Sequence, residues 1–297
     1  MSVLFLFIDG VGLGDDTESN PFKARRFDAF TKLAGDQPFN QKAENVREEE
    51  LIFKDLDATL DVEGLPQSGT GQATLFTGKN AAKLVGRHFG PFPHSEVKPI
   101  LSRESIFHKA VRSGKSCYFM NAYPEIYFER AQERDRWSCT TLMVKSAGLA
   151  LNTIDEVRQG RAITAGITQK AWRDQLGLDV PVIEPEMAAD RVLAMMEEKD
   201  LVLHEYYLTD KAGHARNIER AVEVIDRYDR FLQQLISNRK KDDTIVLSSD
   251  HGNVEDLSVK THTLNRVPLF VAGPVLEPFA GITSIREISG AILDILN

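Results

Sequence analysis

The chain has 297 residues, 42% of them hydrophobic and 27% charged, so it holds enough apolar material for a large buried core. Its formal net charge of −8 excludes a general basic surface for nucleic acid, and two cysteines are too few for a disulfide framework. The apolar start is interrupted by Asp9, and no apolar run is long enough to span a bilayer, so we expect a cytoplasmic protein without a signal peptide or membrane contact.

Strand-like and helix-like segments alternate along most of the chain. The predicted strands are residues 2–8, 55–62, 116–120, 201–208, 244–247 and 268–272. The predicted helices are residues 27–33, 71–77, 105–113, 186–198, 218–237 and 285–296. This order predicts an α/β fold in which a mostly parallel central sheet is flanked by helices on both faces.

The middle of the chain differs from the rest. Residues 127–183 are rich in Arg, Gln and Thr, and their hydrophobic periodicity is poor. We interpret them as a small insertion and a possible lid, within a discontinuous catalytic core formed by residues 1–126 and 184–297. The alternative is a peripheral excursion of the chain without a functional role.

Carboxylates and imidazoles follow three of the predicted strands. Because parallel strands place ligand sites at the carboxyl edge of the sheet, we expect these groups to meet there. Oxygen and nitrogen ligands of this kind suit Zn²⁺ or Mn²⁺. Each short motif taken alone is also explained by an ordinary turn or helix cap. The set comprises Asp9, Asp210, His214, Asp250, His251 and His262.

Two hydroxyl side chains, Ser68 and Thr70, lie among glycines just before the predicted helix of residues 71–77. A helix start offers unpaired N–H groups and a partial positive charge. A nearby metal ion would lower the pKa of a hydroxyl there and make it a nucleophile. A simple N-cap is the more ordinary use of such residues, and it stays open as an alternative.

Five short segments occur in one order along nearly the whole chain. They are residues 7–10 (FIDG), 68–72 (SGTGQ), 210–214 (DKAGH), 250–253 (DHGN) and 262–268 (HTLNRVP). This order resembles the alkaline phosphatase superfamily of metalloenzymes, and most closely its branch of cofactor-independent phosphoglycerate mutases and phosphopentomutases.

The resemblance implies a site with two divalent metal ions, Zn²⁺ or Mn²⁺, and a small phosphorylated substrate. One ion would be surrounded by Asp9, Ser68, Asp250 and His251. The other would be held by Asp210, His214 and His262. The resemblance also implies that Ser68 is the nucleophile, because of its spacing to Gly71, with Thr70 as the alternative since some relatives use threonine.

Two differences from the mutases favour a hydrolase of a small phosphate ester that forms a phosphoseryl or phosphothreonyl intermediate. Gln72 stands where the mutases usually carry a histidine. Only residues 127–183 are available where the phosphoglycerate mutases insert a large second domain. A phosphomutase acting on a sugar or glycerate phosphate is one alternative, and a metal-binding module without turnover is another.

Further contacts to the substrate require other polar side chains. Arg87 lies shortly after the predicted nucleophile helix, and Asn121 follows the strand of residues 116–120. Arg134 and Arg136 lie in the proposed lid. Arginine binds phosphate in a bidentate manner, so we expect Arg87 and Asn121 to contact the substrate. The alternative for the arginines is a solvated surface charge.

Overall fold

The computed structural model describes residues 1–297, and seven strands form a single sheet. The strands are β1 (Val3–Ile8), β2 (Val46–Arg47), β3 (Leu51–Leu56), β4 (Cys117–Phe119), β5 (Leu201–Tyr206), β6 (Thr244–Ser248) and β7 (Val267–Ala272). Across the sheet their order is β2-β3-β7-β6-β1-β5-β4. Strands β4, β5, β1 and β6 are parallel, whereas β7, β3 and β2 continue the sheet in antiparallel pairs. The predicted α/β fold with a mostly parallel central sheet is confirmed.

Helices cover the two faces of this sheet. In chain order they are α1 (Pro21–Ala24), α2 (Asp28–Leu33), α3 (Ser68–Thr77), α4 (Ala81–Val85), α5 (Lys98–Glu104), α6 (Ile106–Arg112), α7 (Glu125–Glu133), α8 (Cys139–Ser146), α9 (Ile154–Arg158), α10 (Lys170–Leu176), α11 (Pro185–Met196), α12 (Leu208–Ala215), α13 (Ile218–Asn238), α14 (Glu277–Ala280) and α15 (Ile288–Leu296). A 3-10 turn, Ile285–Glu287, leads into α15.

Strand β1 lies between two hydrophobic cores because its side chains alternate between the sheet faces. Val3, Phe5 and Phe7 belong to the core that includes residues of α3, α6, α8 and α15. Leu4, Leu6 and Ile8 belong to the core formed with α2, α11 and α13. A strand that is buried on both faces has a continuously apolar sequence, which explains the run VLFLFI. Asp9 is therefore attached to the most enclosed strand of the molecule.

Two predicted boundaries were wrong. The strand expected over residues 55–62 is Leu51–Leu56 instead, because the Asp57 side chain accepts hydrogen bonds from Thr59 N and Leu60 N and turns the chain. The helix expected from residue 71 begins at Ser68, so both candidate nucleophiles lie in its first turn.

Residues 127–183 contain most of α7 and all of α8, α9 and α10. Cys139, Met143 and Val144 of α8 are buried in the same core as α3. This segment is therefore packed against the sheet assembly beside the start of α3. No helix of the protein combines the length and the apolar character required to cross a membrane.

Candidate metal centre

The carboxyl ends of three parallel neighbours, β6, β1 and β5, bring the predicted residues together. Asp9 directly follows β1, and Asp250 lies two residues after β6. Helix α12 starts two residues after β5 and carries Asp210 and His214 four residues apart on one face. His262 lies in the loop before β7, and an isolated bridge between Gly252 and Thr263 fixes this loop against the segment after β6.

The buried half of the centre surrounds His251, whose side chain is fully enclosed. Its Nε2 atom lies 3.0 Å from Ser68 Oγ. The same atom lies 3.5 Å from Asp9 Oδ1 and 3.5 Å from Asp250 Oδ2. Four oxygen and nitrogen atoms thus converge on one small volume at the end of β1.

The outer half of the centre contacts the buried half through the stacked rings of His251 and His262, whose centroids are 3.8 Å apart. His262 Nε2 lies 3.3 Å from His214 Nε2 and 3.5 Å from Asp210 Oδ1. His214 Nε2 lies 3.5 Å from Asp210 Oδ2. The side chain of His214 is 45% exposed, so this half faces solvent.

Two atoms of the buried half lack a hydrogen-bond partner: Asp9 Oδ1 and Asp250 Oδ2. Unpaired buried carboxylate oxygens are costly unless a cation or a proton satisfies them. Burial, followed by the charges of Asp250 and Asp210, raises the pKa of Asp9 well above its ordinary value. Burial, followed by the charge of Asp210, does the same to the pKa of Asp250. The donor set therefore fits a divalent cation.

The imidazole of His251 has the protonation state that a metal ligand needs. Burial, followed by the neighbouring charge of His262, lowers its pKa well below the ordinary value. A neutral ring leaves Nε2 free to bind a cation. Two groups of side chains have the spacing of a metal site: Asp9, Asp250 and His251, and Asp210, His251 and His262.

Two glycines allow the close approach of neighbouring segments in this centre. A Cβ atom on Gly71 would lie 2.8 Å from the carbonyl oxygen of Asp250. A Cβ atom on Gly213 would lie 2.4 Å from Asn253 Oδ1. Only glycine fits at either position without displacing backbone or a buried amide.

The two candidate nucleophiles point in different directions. Ser68 Oγ faces His251, as described above. Thr70 is fully buried, and its hydroxyl donates to Gln67 O at 3.2 Å and accepts from Phe89 N at 3.2 Å. Thr70 thus anchors the loop after α4 to the start of α3. Of the two hydroxyls, only that of Ser68 faces the carboxylates and histidines of the centre.

The predicted substrate-binding residues have other partners. Asn121 Nδ2 donates to Glu205 O at 2.7 Å, and Asn121 Oδ1 accepts from Glu205 N at 2.8 Å. Both ends of its amide are therefore occupied by backbone, which argues against a substrate contact. Arg87 is exposed and its guanidinium lies 5.7 Å from the ring centroid of Phe89.

The sequence did not predict the residues that hold the candidate metal ligands in place. Gln72 Nε2 donates to Asp9 Oδ2 at 3.1 Å, and Asn253 Nδ2 donates to Asp210 Oδ1 at 2.6 Å. Glu255 is buried and accepts hydrogen bonds from Gly12 N, Asn253 N, Thr263 Oγ1 and Asn265 Nδ2. The sequence did contain one signal for Glu255. It is an acidic residue soon after Asp250-His251-Gly252-Asn253, in a segment without helical periodicity.

A further buried acid, Glu205, is the next-to-last residue of the neighbouring strand β5. Thr140 Oγ1 donates to Glu205 Oε2 at 2.8 Å. Burial raises the pKa of Glu205 to about 7, although its contacts with Thr140 and Tyr123 oppose this rise. The charge of Glu205 contributes to the raised pKa of Asp9, so the two carboxyl groups lie in one electrostatic environment.

Comparison with known proteins gives related results by sequence and by structure. A model of the metalloenzyme superfamily matches residues 181–297. The 2,3-bisphosphoglycerate-independent phosphoglycerate mutase of Desulforudis audaxviator is 30% identical over 129 residues, covering 38% of this chain and 25% of that protein. The phosphopentomutase of Clostridioides difficile is 24% identical over 163 residues, covering 52% of this chain and 38% of that protein.

Alkaline phosphatase from the Antarctic bacterium TAB5 has the same fold, with a TM-score of 0.61 at 14% identity over 99% of this chain and 97% of that chain. A mutant of that enzyme has been solved with Mg bound. These matches confirm the resemblance to the alkaline phosphatase superfamily of metalloenzymes, with phosphomutases among the relatives. The matched segments span only a quarter to two fifths of the length of these two mutases.

Proposed function

We propose that this protein is a binuclear metal-dependent phosphoryl-transfer enzyme that hydrolyses a small phosphate ester through a phosphoseryl intermediate on Ser68. The observation that carries the proposal is the 3.0 Å distance between Ser68 Oγ and His251 Nε2. It places one reactive hydroxyl beside the unpaired carboxylate oxygens of Asp9 and Asp250. The match to the metalloenzyme superfamily and the two mutase relatives support this proposal.

The residues divide into two ion-binding groups. Asp9, Ser68, Asp250 and His251 would hold the inner ion, and Asp210, His214 and His262 the outer one. Two bound divalent ions, Zn²⁺ or Mn²⁺, would offset the charge of the phosphate and lower the pKa of the Ser68 hydroxyl. Without such ions, three carboxylates in the pocket would repel a phosphate group.

The start of α3 supplies further contacts for the phosphate. The backbone N–H groups of Ser68 and Gly69 donate no hydrogen bond within the chain. Free N–H groups at a helix start, with the helix dipole behind them, bind phosphate oxygens. Ser68 Oγ would then attack phosphorus, the bond to the leaving oxygen would break, and water would later cleave the phosphoseryl group.

Substitution of the hydroxyls tests this assignment. Ser68→Ala should lower kcat for p-nitrophenyl phosphate by roughly 10³-fold or more, with Mn²⁺ or Zn²⁺ supplied. Thr70→Ala should leave most of the activity, because Thr70 contacts the loop rather than the centre. Acid-quenched wild-type protein should yield a phosphorylated peptide that contains Ser68. Activity that survives Ser68→Ala unchanged would exclude the covalent mechanism.

A phosphomutase is the second candidate, and the mutase relatives favour it. The two activities are separated by supplying a sugar phosphate or a glycerate phosphate and analysing the products. A hydrolase releases inorganic phosphate, whereas a mutase yields an isomer with the phosphate on another oxygen. Isomer formation that exceeds phosphate release would replace the first proposal with the second.

A further inference from the structure

A cavity of about 240 Å³ lies beside the start of α3, outside the carboxylate–histidine cluster. It is formed between residues 89–95 and residues 134–137, and Lys98 completes its lining. Three cations line it, Lys98, Arg134 and Arg136, with Asp135 as the one carboxylate. None of these three cations forms a salt bridge. The cavity therefore carries a positive charge that the chain itself does not neutralise.

Two cation–π contacts lie at this cavity, one made by the lining residue Arg136 and one made by Lys145 to the lining residue Trp137. The guanidinium of Arg136 lies 4.7 Å from the ring centroid of Phe92. The ammonium of Lys145 lies 4.2 Å from the ring centroid of Trp137. A cation–π contact positions a cation without cancelling its charge, unlike an ion pair. Because Lys98, Arg134 and Arg136 line the cavity without an ion-pair partner, it suits an anion better than an apolar group.

The loop that lines the cavity packs directly on the turn that carries the proposed nucleophile. A Cβ atom on Gly90, one of the lining residues, would lie 3.2 Å from Ser68 N and 3.3 Å from Gly69 N. The carbonyl oxygens of Phe89 and Phe92 close over Gly69 in the same way. A ligand group in the cavity is thus separated from the first turn of α3 only by the loop that packs on it.

We propose that this cavity binds a second anionic group of the substrate, either a phosphate or a carboxylate. The substrate would then be a small phosphate ester with an additional anionic group at the end remote from the reacting phosphorus. This inference rests on the proposed function for the location of the reacting phosphate. The positive cavity explains how a protein of net charge −8 selects such a substrate.

Binding is tested without turnover by calorimetry on the protein supplied with Mn²⁺. The probes are ethylphosphonate and carboxyalkylphosphonates of increasing chain length, which cannot be hydrolysed as esters. At one chain length the carboxylated probe should bind about 10- to 100-fold more tightly than ethylphosphonate, the range expected for a charge-assisted contact. The Arg134→Gln/Arg136→Gln double variant should lose this preference, whereas Arg112→Gln, an exposed arginine of α6, should retain it.

Kinetics provide the second measurement, with p-nitrophenyl phosphate compared with phosphoglycerate and a sugar bisphosphate. The double variant should lower kcat/KM for the two doubly anionic esters by about 10- to 100-fold and change it less than about 2-fold for p-nitrophenyl phosphate. Replacing Arg136 by Lys instead of Gln should restore part of the lost kcat/KM, because lysine retains the positive charge. Comparing the two doubly anionic esters shows whether carboxylate or phosphate is preferred.

The outcomes separate this inference from the proposed function. Equal affinities for all probes, no binding of any probe, or a preference that survives the double substitution would overturn the inference. An equal loss of kcat/KM for all three esters would also overturn it, since it would indicate a general effect of charge. Lack of hydrolysis of any ester by wild-type protein, with the probe preference intact, would instead count against the proposed function alone.

Discussion

Replacement of Asp250 by Asn should stabilise the metal-free protein while abolishing its response to metal. The carboxylate oxygens of Asp9 and Asp250 and the ring nitrogen of His251 all lie within 4.8 Å of one another. Two carboxylates at that separation repel by about 3 kcal/mol at an effective dielectric constant of about 20. This is an upper limit, because protonation of one carboxyl group relieves part of the repulsion. Asparagine retains the Oδ1 atom that accepts from Gly10 N at 3.4 Å.

The assay is thermal unfolding at pH 8 in EDTA and again with excess Mn²⁺. For a chain of this length, 3 kcal/mol corresponds to roughly 5 °C in Tm, so Asp250→Asn should raise the metal-free Tm by up to about 5 °C. Metal at about 1,000 times its Kd should stabilise the wild type by about 4 kcal/mol and the variant by much less. Asp242→Asn, at an exposed position before β6, should behave as wild type in both conditions. A lower metal-free Tm for Asp250→Asn, or an unchanged response to Mn²⁺, would refute the reasoning.

Three other predictions concern pH, an anchoring carboxylate and a close approach. Folding raises the pKa of Asp9 and Asp250 and therefore takes up protons. The metal-free Tm should consequently fall as pH rises above about 4. Metal affinity, measured by calorimetry, should rise over the same pH range. If affinity were independent of pH, carboxylate ligation would be excluded. Glu255→Ala should leave three buried donors and one half-buried donor unpaired, and it should lower the free energy of unfolding by about 3 kcal/mol in urea titrations. An effect below about 1 kcal/mol would show that water replaces the carboxylate. Gly71→Ala should lower the free energy of unfolding by about 1–3 kcal/mol and remove most of the activity, since its Cβ would meet the Asp250 carbonyl. Gly281→Ala, whose Cβ would meet nothing within 4 Å, should have little effect. Equal effects of the two substitutions would contradict the packing argument.

The sequence was sufficient to predict the parallel strands of the central sheet and the acidic residues that follow them. The run VLFLFI followed by Asp9, and the apolar run followed by Asp250 and His251, are local signals, since a buried parallel strand is continuously apolar. The convergence of Asp9, Asp210 and Asp250 then follows from the parallel order of β6, β1 and β5, because carboxyl ends of parallel strands share one edge.

The roles of Thr70, Asn121 and Glu255 were not predictable in the same way. Each side chain is fixed by partners that are distant along the chain: Phe89 for Thr70, Glu205 for Asn121, and Gly12 for Glu255. Such partners depend on how segments pack after folding, and local periodicity carries no information about them. The strand predicted over residues 55–62 failed for a local reason instead. The Asp57 side chain turns the chain after Leu56, and Leu60 and Asp61 then adopt positive φ angles of 59° and 55°, which an extended strand does not allow.

The difference in exposure between His251 and His214 has a practical consequence for purified samples. The His251 side chain is enclosed, whereas nearly half of the His214 side chain is open to water. An ion at the outer position would exchange with the buffer faster than an ion at the inner position, because its ligands separate without opening the core. Brief chelation should therefore produce molecules that retain one ion and differ in catalytic competence. Fractional metal contents between one and two ions per chain would then reflect sample history rather than the intrinsic capacity of the protein.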